Sequence, residues 1–145
     1  LRLLERYAVE LGGGTSGRFG LDDGVLVTSN HVSILGGVSA AVRGAKEKLG
    51  YMHKIGVQVA NETELRDAIE AGADLVVLAD LNPEELARLA VMTKELSASV
   101  VIEYSGKTTP ANVRAYAEAG AQLITVESLT NSPAAMNISF QIQPY

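Results

Sequence analysis

The sequence predicts an α/β fold, an open or incomplete (β/α) barrel with parallel strands and five to six βα units. From residue 25 onward, apolar runs of strand length alternate with amphipathic runs of helix length, which is typical of consecutive βα units. The sequence Ala-Gly-Ala followed by a polar residue occurs at 71–74 and again at 119–122, each time just before an apolar run. This repeat indicates a recurring turn from a helix into a strand. A doubly wound sheet is the alternative.

The length of the chain argues for an incomplete barrel. A complete eight-unit barrel needs roughly 250 residues, whereas this chain has 145. We interpret residues 1–145 as a single α/β domain, with an N-terminal helix at 1–10, a glycine-rich loop at 12–24 and βα units over 25–145. An incomplete barrel needs a partner to cover its core, so we expect a homo-oligomer.

The predicted elements follow one another regularly along the chain. Asn61 and Asn82 each stand three residues before a glutamate, and Pro83 follows the second, which is typical of helix N-caps. Gly72 and Gly120 stand where the end of a helix needs a left-handed residue. The predicted strands lie near 25–29, 55–60, 74–79, 99–104 and 122–127, with a sixth near 137–142.

The composition indicates a globular protein. Hydrophobic residues make up 47% of the chain and tryptophan is absent, so the core is expected to be aliphatic. The net charge of -5 and the scattered lysines and arginines argue against binding to nucleic acid or an anionic membrane surface. No apolar run approaches the roughly 18 residues of a membrane span, so a cytoplasmic location is expected. The lack of cysteine excludes disulfides and thiolate chemistry.

Polar side chains follow the predicted strands, at the end where barrels place their ligand sites. Glu103 ends an apolar run, so its carboxylate either lies at a ligand site or needs a buried partner. Ser105 and Gly106 offer a hydroxyl and backbone N–H groups to a phosphate, and a plain turn is the alternative. His31 is either an acid–base group or, as we favour, a histidine held by the backbone.

The glycine-rich segment is the most informative part of the chain. Residues 12–31 hold six glycines around Arg18, which suits a backbone that passes close to an anionic ligand. A flexible loop before a buried strand is the alternative. Arg18 either binds a carboxylate or phosphate through its planar fork or is a solvated loop residue. Lys54 is interpreted as a solvated residue before a strand, with a Schiff-base lysine as the alternative. His31 and His53 lack a third ligand at a useful spacing, so we predict no metal site.

Motifs along nearly the whole chain resemble those of quinolinate phosphoribosyltransferase, also called carboxylating nicotinate-nucleotide pyrophosphorylase. The resemblance implies the C-terminal barrel domain, of open six-stranded type, of an enzyme that joins quinolinate to phosphoribosyl pyrophosphate in NAD biosynthesis. The motifs that carry it are Leu1 to Val9 with the triple glycine, Arg18 to Leu21, Asp23 to Leu26, Asn30-His31, Ala71 to Asp74, Glu103, Ser105-Gly106, Tyr116 to Glu118, Leu129-Thr130 and Ile138-Ser139.

This chain departs from the family pattern mainly where the family carries charge. Gly14-Thr15-Ser16-Gly17-Arg18 stands for Gly-Gly-Gly-Lys-Asn-His-Arg, and Thr28 stands for the lysine of Lys-Asp-Asn-His. Gln58, Ala79 and Tyr104 replace a glutamate, an aspartate and a small residue, while Glu127 replaces a glycine beside a phosphate. Asn131 and Asn137 replace His and Asp. Because charged contacts carry most anion affinity, the family reaction is expected to be impaired or lost.

The resemblance implies a set of site residues and no tightly bound cofactor. Mg²⁺ would accompany the pyrophosphate substrate only if the family activity persists. The implied catalytic residues are Glu103 and Arg18; the implied substrate-binding residues are Arg18, Asn30, His31, Ser105, Gly106, Glu127 and Ser128; the implied pocket-lining residues are Thr28, Gln58, Ala79 and Tyr104.

Three functional hypotheses stay open at this point. The first is a phosphoribosyltransferase-like domain that acts on a small-molecule substrate with reduced or no activity. The second is a pocket repurposed, by design or by selection, for another small molecule, with Glu103, Glu127 and Tyr104 as its polar groups. The third is a non-catalytic, self-associating scaffold.

Overall fold

A computed structural model describes residues 1–143 of the chain. These residues form two compact units, one of residues 16–126 and one of residues 1–15 together with 127–143. The larger unit contains β1 (Val25–Val27), α2 (Ser29–Leu35), α3 (Val38–Lys48), β2 (Ile55–Val59), α4 (Glu62–Glu70), β3 (Leu75–Ala79), α5 (Pro83–Leu96), β4 (Val101–Ser105), α6 (Val113–Glu118) and β5 (Leu123–Thr125). The smaller unit contains α1 (Arg2–Leu11) and α7 (Ser128–Asn131). The interpretation of the whole chain as one domain stays a prediction.

The five strands form one parallel sheet in the order β1-β2-β3-β4-β5. Strand order therefore follows chain order, as in a barrel, whereas a doubly wound sheet reverses direction at a switch point. Right-handed crossovers that always advance in one direction place the helices on one face of the sheet. The predicted open α/β barrel of βα units is confirmed.

The hydrophobic core lies between this helix-covered face and the helices. Side chains alternate along each strand, so every second residue points at the helices. Val57, Val76 and Ile102 are paired across neighbouring strands and are fully buried. Leu65 of α4 and Leu86 of α5 pack in the same core. The opposite face of the sheet is called the open face below.

The predicted helix starts are confirmed at α4 and α5. The Asn61 side chain accepts a hydrogen bond from the Glu64 N–H at 2.9 Å, and Asn82 accepts one from the Glu85 N–H at 2.9 Å. Glu85 in turn accepts from the Asn82 N–H at 3.2 Å, and Pro83 is the first helical residue. Each cap satisfies backbone donors that have no partner inside the helix.

The repeated Ala-Gly-Ala turn is confirmed, and its polar residue ties two strands together. Gly72 and Gly120 have φ of 85° and 106°, the left-handed conformation that glycine adopts without strain. Asp74 then accepts hydrogen bonds from the Ile55 N–H at 2.9 Å and from Lys54 Nζ at 2.8 Å. In the second copy, Gln122 Oε1 takes the place of the Asp74 carboxylate and accepts from the Ile102 N–H at 3.1 Å and from Lys94 Nζ at 2.9 Å.

The strands match the predicted ones to within about two residues at each end, and the predicted sixth strand is the exception. The first strand ends at Val27, two residues early, because Thr28 is the N-cap of α2 and Ser29 begins that helix. The expected sixth strand near 137–142 does not form, and residues 133–143 have no helix or strand. Ile138, Phe140 and Ile142 keep the alternating pattern of a strand but are exposed. A strand forms only where a neighbouring strand pairs with its backbone, and no strand among residues 1–143 pairs with this segment.

No helix among residues 1–143 combines the length and the apolar character that crossing a membrane would require.

Candidate functional site

The candidate site lies on the open face of the sheet, at the carboxyl ends of β2 to β5. The strand register places Gln58 beside Val77 and Val77 beside Glu103 in one row across the face. One step nearer the carboxyl edge, Ala79, Ser105 and Thr125 form a second row. Neighbouring strands lie about 4.8 Å apart, so Glu103, Ser105 and Thr125 are within reach of one small ligand.

Glu103 is the acidic group of this site. It is half-buried, and its strand neighbours Val77 and Leu123 are apolar. The Thr125 hydroxyl donates a hydrogen bond to Glu103 Oε1 at 2.5 Å. This contact orients the carboxylate, and no other described residue donates a hydrogen bond to it. The remaining oxygen can therefore accept a hydrogen bond from a ligand hydroxyl.

The loop after β4 is organised by its own side chains. Asn112 Oδ1 accepts from the Thr109 N–H at 2.7 Å, and Asn112 Nδ2 donates to the Lys107 carbonyl at 3.0 Å. Ser105, the last residue of β4, immediately precedes this loop and carries a hydroxyl group. Lys107 is exposed and is the only lysine or arginine in the short connections that directly follow β1 to β4. Sequence reasoning missed Lys107, although its position two residues beyond a strand end could have indicated it.

The structure places Tyr104 on the helix-covered face, which corrects its expected position in the pocket. Tyr104 is 2% exposed, and its ring stacks on Tyr116 with centroids 3.8 Å apart and an interplanar angle of 13°. Residues 103 and 104 are adjacent in a strand, so they must point to opposite faces. Burial, the hydrogen bond with Tyr116 and the nearby Asp80 carboxylate all raise the pKa of Tyr104, so the phenol stays neutral.

Asp80 lies at the carboxyl end of β3 in a left-handed conformation. Its φ is 53°, and its N–H donates to the Ser105 carbonyl at 2.9 Å. Asp tolerates this region better than most side chains. The backbone bond ties the end of β3 to the end of β4, which holds the Ser105 loop beside the candidate site.

Residues at the end of β1 cap the following helix. The Thr28 N–H donates to His31 Nδ1 at 3.1 Å, and the Ser29 N–H donates to Gln58 Oε1 at 3.4 Å. Asn30 is the second residue of α2 and is exposed. The contact of His31 with the backbone agrees with the favoured interpretation of a histidine held by the backbone. Thr28 and Gln58 lie at this carboxyl edge, but their polar groups contact α2.

Arg18 is not brought together with Glu103. Arg18 Nη1 donates to the Gly24 carbonyl at 3.1 Å, at the amino end of β1. A strand rises about 3.3 Å per residue, so Gly24 and Thr28 are separated by roughly 13 Å along β1. Lys54 also lies at the amino end of the sheet, where its exposed side chain pairs with Asp74. This placement favours the solvated residue over a Schiff-base lysine, which would need desolvation.

Glu127 and Ser128 belong to the smaller unit. Glu127 is the N-cap of the short helix α7, and its carbonyl accepts from the Asn131 N–H at 3.0 Å. Ser128 begins this helix, and both residues are exposed. Among residues 1–143, no three His, Cys, Asp or Glu side chains are grouped as metal ligands.

The comparisons with known proteins agree with this architecture. The family model for the quinolinate phosphoribosyl transferase C-terminal domain matches residues 1–141. The chain belongs to the quinolinate phosphoribosyltransferase family. It is 38% identical to a probable carboxylating nicotinate-nucleotide pyrophosphorylase of Methanocaldococcus jannaschii over 98% of the chain. The carboxylating nicotinate-nucleotide pyrophosphorylase of Homo sapiens is 36% identical over 97% of the chain.

Solved structures place the chain in the same family. The nicotinate-nucleotide pyrophosphorylase of Francisella tularensis superposes with a TM-score of 0.88 at 34% identity, over 98% of this chain and 49% of that one. The chain also spans 51% of the Methanocaldococcus protein and 48% of the human one. It therefore corresponds to about half the length of these quinolinate phosphoribosyltransferase relatives.

Proposed function

We propose that this quinolinate phosphoribosyltransferase domain binds the sugar-phosphate part of a phosphoribosyl substrate at the carboxyl edge of its sheet. We further propose that transfer to quinolinate is slow or absent in this chain alone. The observation that carries the proposal is the group of Glu103, Ser105 and Thr125 on one face of two paired strands.

The group suits a sugar phosphate because it combines an oriented carboxylate with hydroxyls and one cation. The free oxygen of Glu103 accepts hydrogen bonds from sugar hydroxyls. Ser105 and the backbone of the following loop supply donors for phosphate oxygens, and the exposed Lys107 ammonium supplies the positive charge. The Asn112 contacts hold this loop in place before a ligand arrives, which lowers the entropy cost of binding.

The same edge is poorly suited to quinolinate and pyrophosphate. A pyridine dicarboxylate and a pyrophosphate together carry several negative charges, which transferases stabilise with clustered cations. Thr28, Gln58 and Ala79 are neutral, and Arg18 contacts the amino end of β1. Lys107 alone offsets only part of this charge. Any Mg²⁺ would arrive with the pyrophosphate substrate, held by its oxygens.

Calorimetry with three ligands tests this proposal directly. Ribose 5-phosphate is expected to bind the full chain. Phosphoribosyl pyrophosphate is expected to bind more weakly, because the charge of its pyrophosphate is only partly offset at this edge, and quinolinate alone is expected to give no heat. A pyrophosphate-release assay with both substrates and Mg²⁺ is expected to show little or no turnover. Turnover comparable to that of a full-length relative would contradict the proposed loss, and no binding of either sugar phosphate would contradict the site itself.

The assignment to NAD biosynthesis as a transferase, the cytoplasmic location and the homo-oligomer stay predictions for this chain.

The repurposed pocket built on Tyr104, Glu103 and Glu127 is less well supported, because Tyr104 lies under the helices. Self-association is favoured by a specific observation: α1 exposes a set of large apolar side chains, Leu3, Leu4, Tyr7 and Leu11. Sedimentation of the chain over a range of concentrations measures association. Together with the calorimetry above, it distinguishes a scaffold that associates without binding sugar phosphate from a domain that binds it.

A further inference from the structure

The His53 ring lies between two backbone carbonyl groups from different segments of the chain. Its Nδ1 is 3.3 Å from the Gly50 carbonyl oxygen, in the connection between α3 and β2. Its Nε2 is 3.2 Å from the Asp22 carbonyl oxygen, in the glycine-rich loop before β1. The ring therefore bridges the segment that enters β1 and the segment that enters β2.

The two acceptors determine which protonation state of the ring suits this bridge. A carbonyl oxygen only accepts hydrogen bonds, so each ring nitrogen must carry a proton to bond to it. Neutral imidazole has one ring proton, whereas the imidazolium cation has two. In the neutral ring, one nitrogen directs a lone pair at a carbonyl oxygen, and the two atoms repel each other. The complete bridge therefore requires the cation.

The loop that His53 contacts is closed by its own residues. Arg18 Nη1 donates to the Gly24 carbonyl at 3.1 Å, which joins the two ends of a turn. At the base of this turn, the Val25 N–H donates to the Lys54 carbonyl at 3.1 Å. Lys54 directly follows His53, so the bridge and this backbone bond hold the same two segments together.

Charged groups of both signs lie on the elements around His53. They are Arg18, Asp22 and Asp23 in the glycine-rich loop, Lys46 and Lys48 in the last turn of α3, Lys54 next to His53, and Asp74 before β3. The two loop carboxylates favour a cation at His53, and the basic side chains oppose it. Lys54 is paired with Asp74 at 2.8 Å, which offsets part of its charge.

We propose that His53 is a pH-sensitive clamp that holds the glycine-rich loop against the segment before β2 when the ring is protonated and releases it when the ring is neutral. His53 is exposed, so its ring exchanges protons with solvent. Histidine is the side chain whose charge ordinarily changes between about pH 5 and about pH 8. Contacts that need the cation stabilise the loop at the lower pH and are lost as the pH rises. The clamp does not depend on the sugar-phosphate site. While it is closed, it keeps Arg18 at the amino end of the sheet.

Hydrogen exchange of single amides, followed by NMR on the full chain, tests the clamp. The Val25 N–H reports on the base of the loop, and its protection is measured against an unstructured peptide at the same pH. This protection is expected to be about fivefold lower at about pH 8 than at about pH 5, the effect of losing one hydrogen bond. The Leu86 N–H, which donates to the Asn82 carbonyl in α5 at 3.0 Å, is the internal reference and is expected to keep its protection.

Two histidine substitutions assign the effect. His53→Gln leaves a side chain that is neutral at every pH, so the protection of the Val25 N–H is expected to be equal at both pH values. His31→Gln is the matched control, because it removes the other histidine of the chain, which lies in α2 beyond the carboxyl end of β1. This control is expected to retain the pH dependence of the unaltered chain.

Each outcome bears on the clamp. Equal Val25 protection at both pH values in the unaltered chain would overturn it, and so would a pH dependence that persists in a folded His53→Gln variant. If His53→Gln does not fold, the carbonyl carbon signals of Asp22 and Gly50 in the His31→Gln chain decide instead. At least one of these signals is expected to shift as the His53 ring loses its proton, and two unchanged signals would contradict the bridge.

Discussion

The Glu103 carboxylate is the group whose charge the candidate site depends on. Glu103→Gln keeps the size of the side chain and an oxygen for the Thr125 hydroxyl but removes the charge. Hydrogen bonds to charged groups contribute about 1.5–3 kcal/mol, so affinity for ribose 5-phosphate is expected to fall by about tenfold or more. Titration calorimetry measures the change.

Lys54→Gln provides a matched control at the other end of the sheet. It also replaces a charged side chain by a glutamine, and Lys54 contacts Asp74 far from the carboxyl edge. Its affinity for ribose 5-phosphate is expected to equal that of the unaltered chain. A similar loss in both variants would contradict a specific role of Glu103, and net charge could not explain it, because the two substitutions change the net charge in opposite directions.

Position 106 requires glycine because Tyr104 leaves no room for a side chain there. A Cβ at position 106 would overlap the Tyr104 hydroxyl. Gly106→Ala is therefore expected to lower the free energy of unfolding by about 1–3 kcal/mol, the usual cost of overpacking. Denaturant unfolding measures this change. In a Tyr104→Phe background, which removes the hydroxyl, the cost of Gly106→Ala should be smaller, and an undiminished cost would contradict the contact.

Tyr104 and its neighbour Glu103 show what could and could not be predicted from the sequence for a single residue. The position of Glu103 at a strand end could be predicted from the apolar run before it. The face could not be predicted, because residues 100–102 are all apolar and give no alternation. A helix packed on the sheet, with Tyr116 opposite Tyr104, decides the orientation.

At the scale of elements, Asp74 makes the contact between β2 and β3 sensitive to acid. Burial alone would raise its pKa, but hydrogen bonds from Lys54 and the Ile55 N–H and the charges of Lys54 and Lys46 lower it overall. A carboxyl whose pKa is lowered on folding stabilises the protein above its ordinary value of about 3.9. That stabilisation is lost as the pH falls from this value toward the lower pKa of the folded state.

Asp74→Asn is expected to lower stability at neutral pH and to reduce the loss of stability below about pH 4. Unfolding by denaturant at a series of pH values measures both effects. Glu95→Gln, an exposed carboxyl on α5, is the control and should leave the pH profile unchanged. An Asp74→Asn profile parallel to that of the unaltered chain would contradict the assignment.

The helix caps were predictable because a cap is a local contact between residues three positions apart. Asn61 and Asn82 form theirs within four residues of sequence. The end of β1 was not predictable from an apolar run alone, since Thr28 suits both a strand and an N-cap. The strand near 137–142 depends on a neighbouring strand, which a local pattern does not reveal.

At the scale of the molecule, the order of the βα units was predictable because the same turn sequence recurs between a helix and the next strand. The two Ala-Gly-Ala turns, at Gly72 and Gly120, mark equivalent steps from helix to strand. The location of Arg18 was not predictable in this way. Its loop lies outside the repeated units, and its contact with Gly24 depends on the path of the whole loop.

The open sheet also predicts association through its edge strands. Leu26 on β1 and Leu123 on β5 are 37% and 44% exposed, on the two edge strands of the sheet. Burial of apolar surface contributes about 25 cal/mol per Å², so Leu123→Thr is expected to shift sedimentation toward smaller species at a given concentration. Threonine keeps the strand preference of the site.

Val91→Thr is the control for this substitution, because Val91 is exposed on α5, away from the sheet edge. It makes a similar change from an apolar to a polar side chain and should leave sedimentation unaltered. If both variants dissociate equally, general surface hydrophobicity drives association. If neither does while the unaltered chain associates, the contact lies elsewhere, with the exposed face of α1 as the next surface to test. Because edge strands offer unpaired backbone groups as well as side chains, an effect confined to Leu123→Thr would locate the contact at the β5 edge.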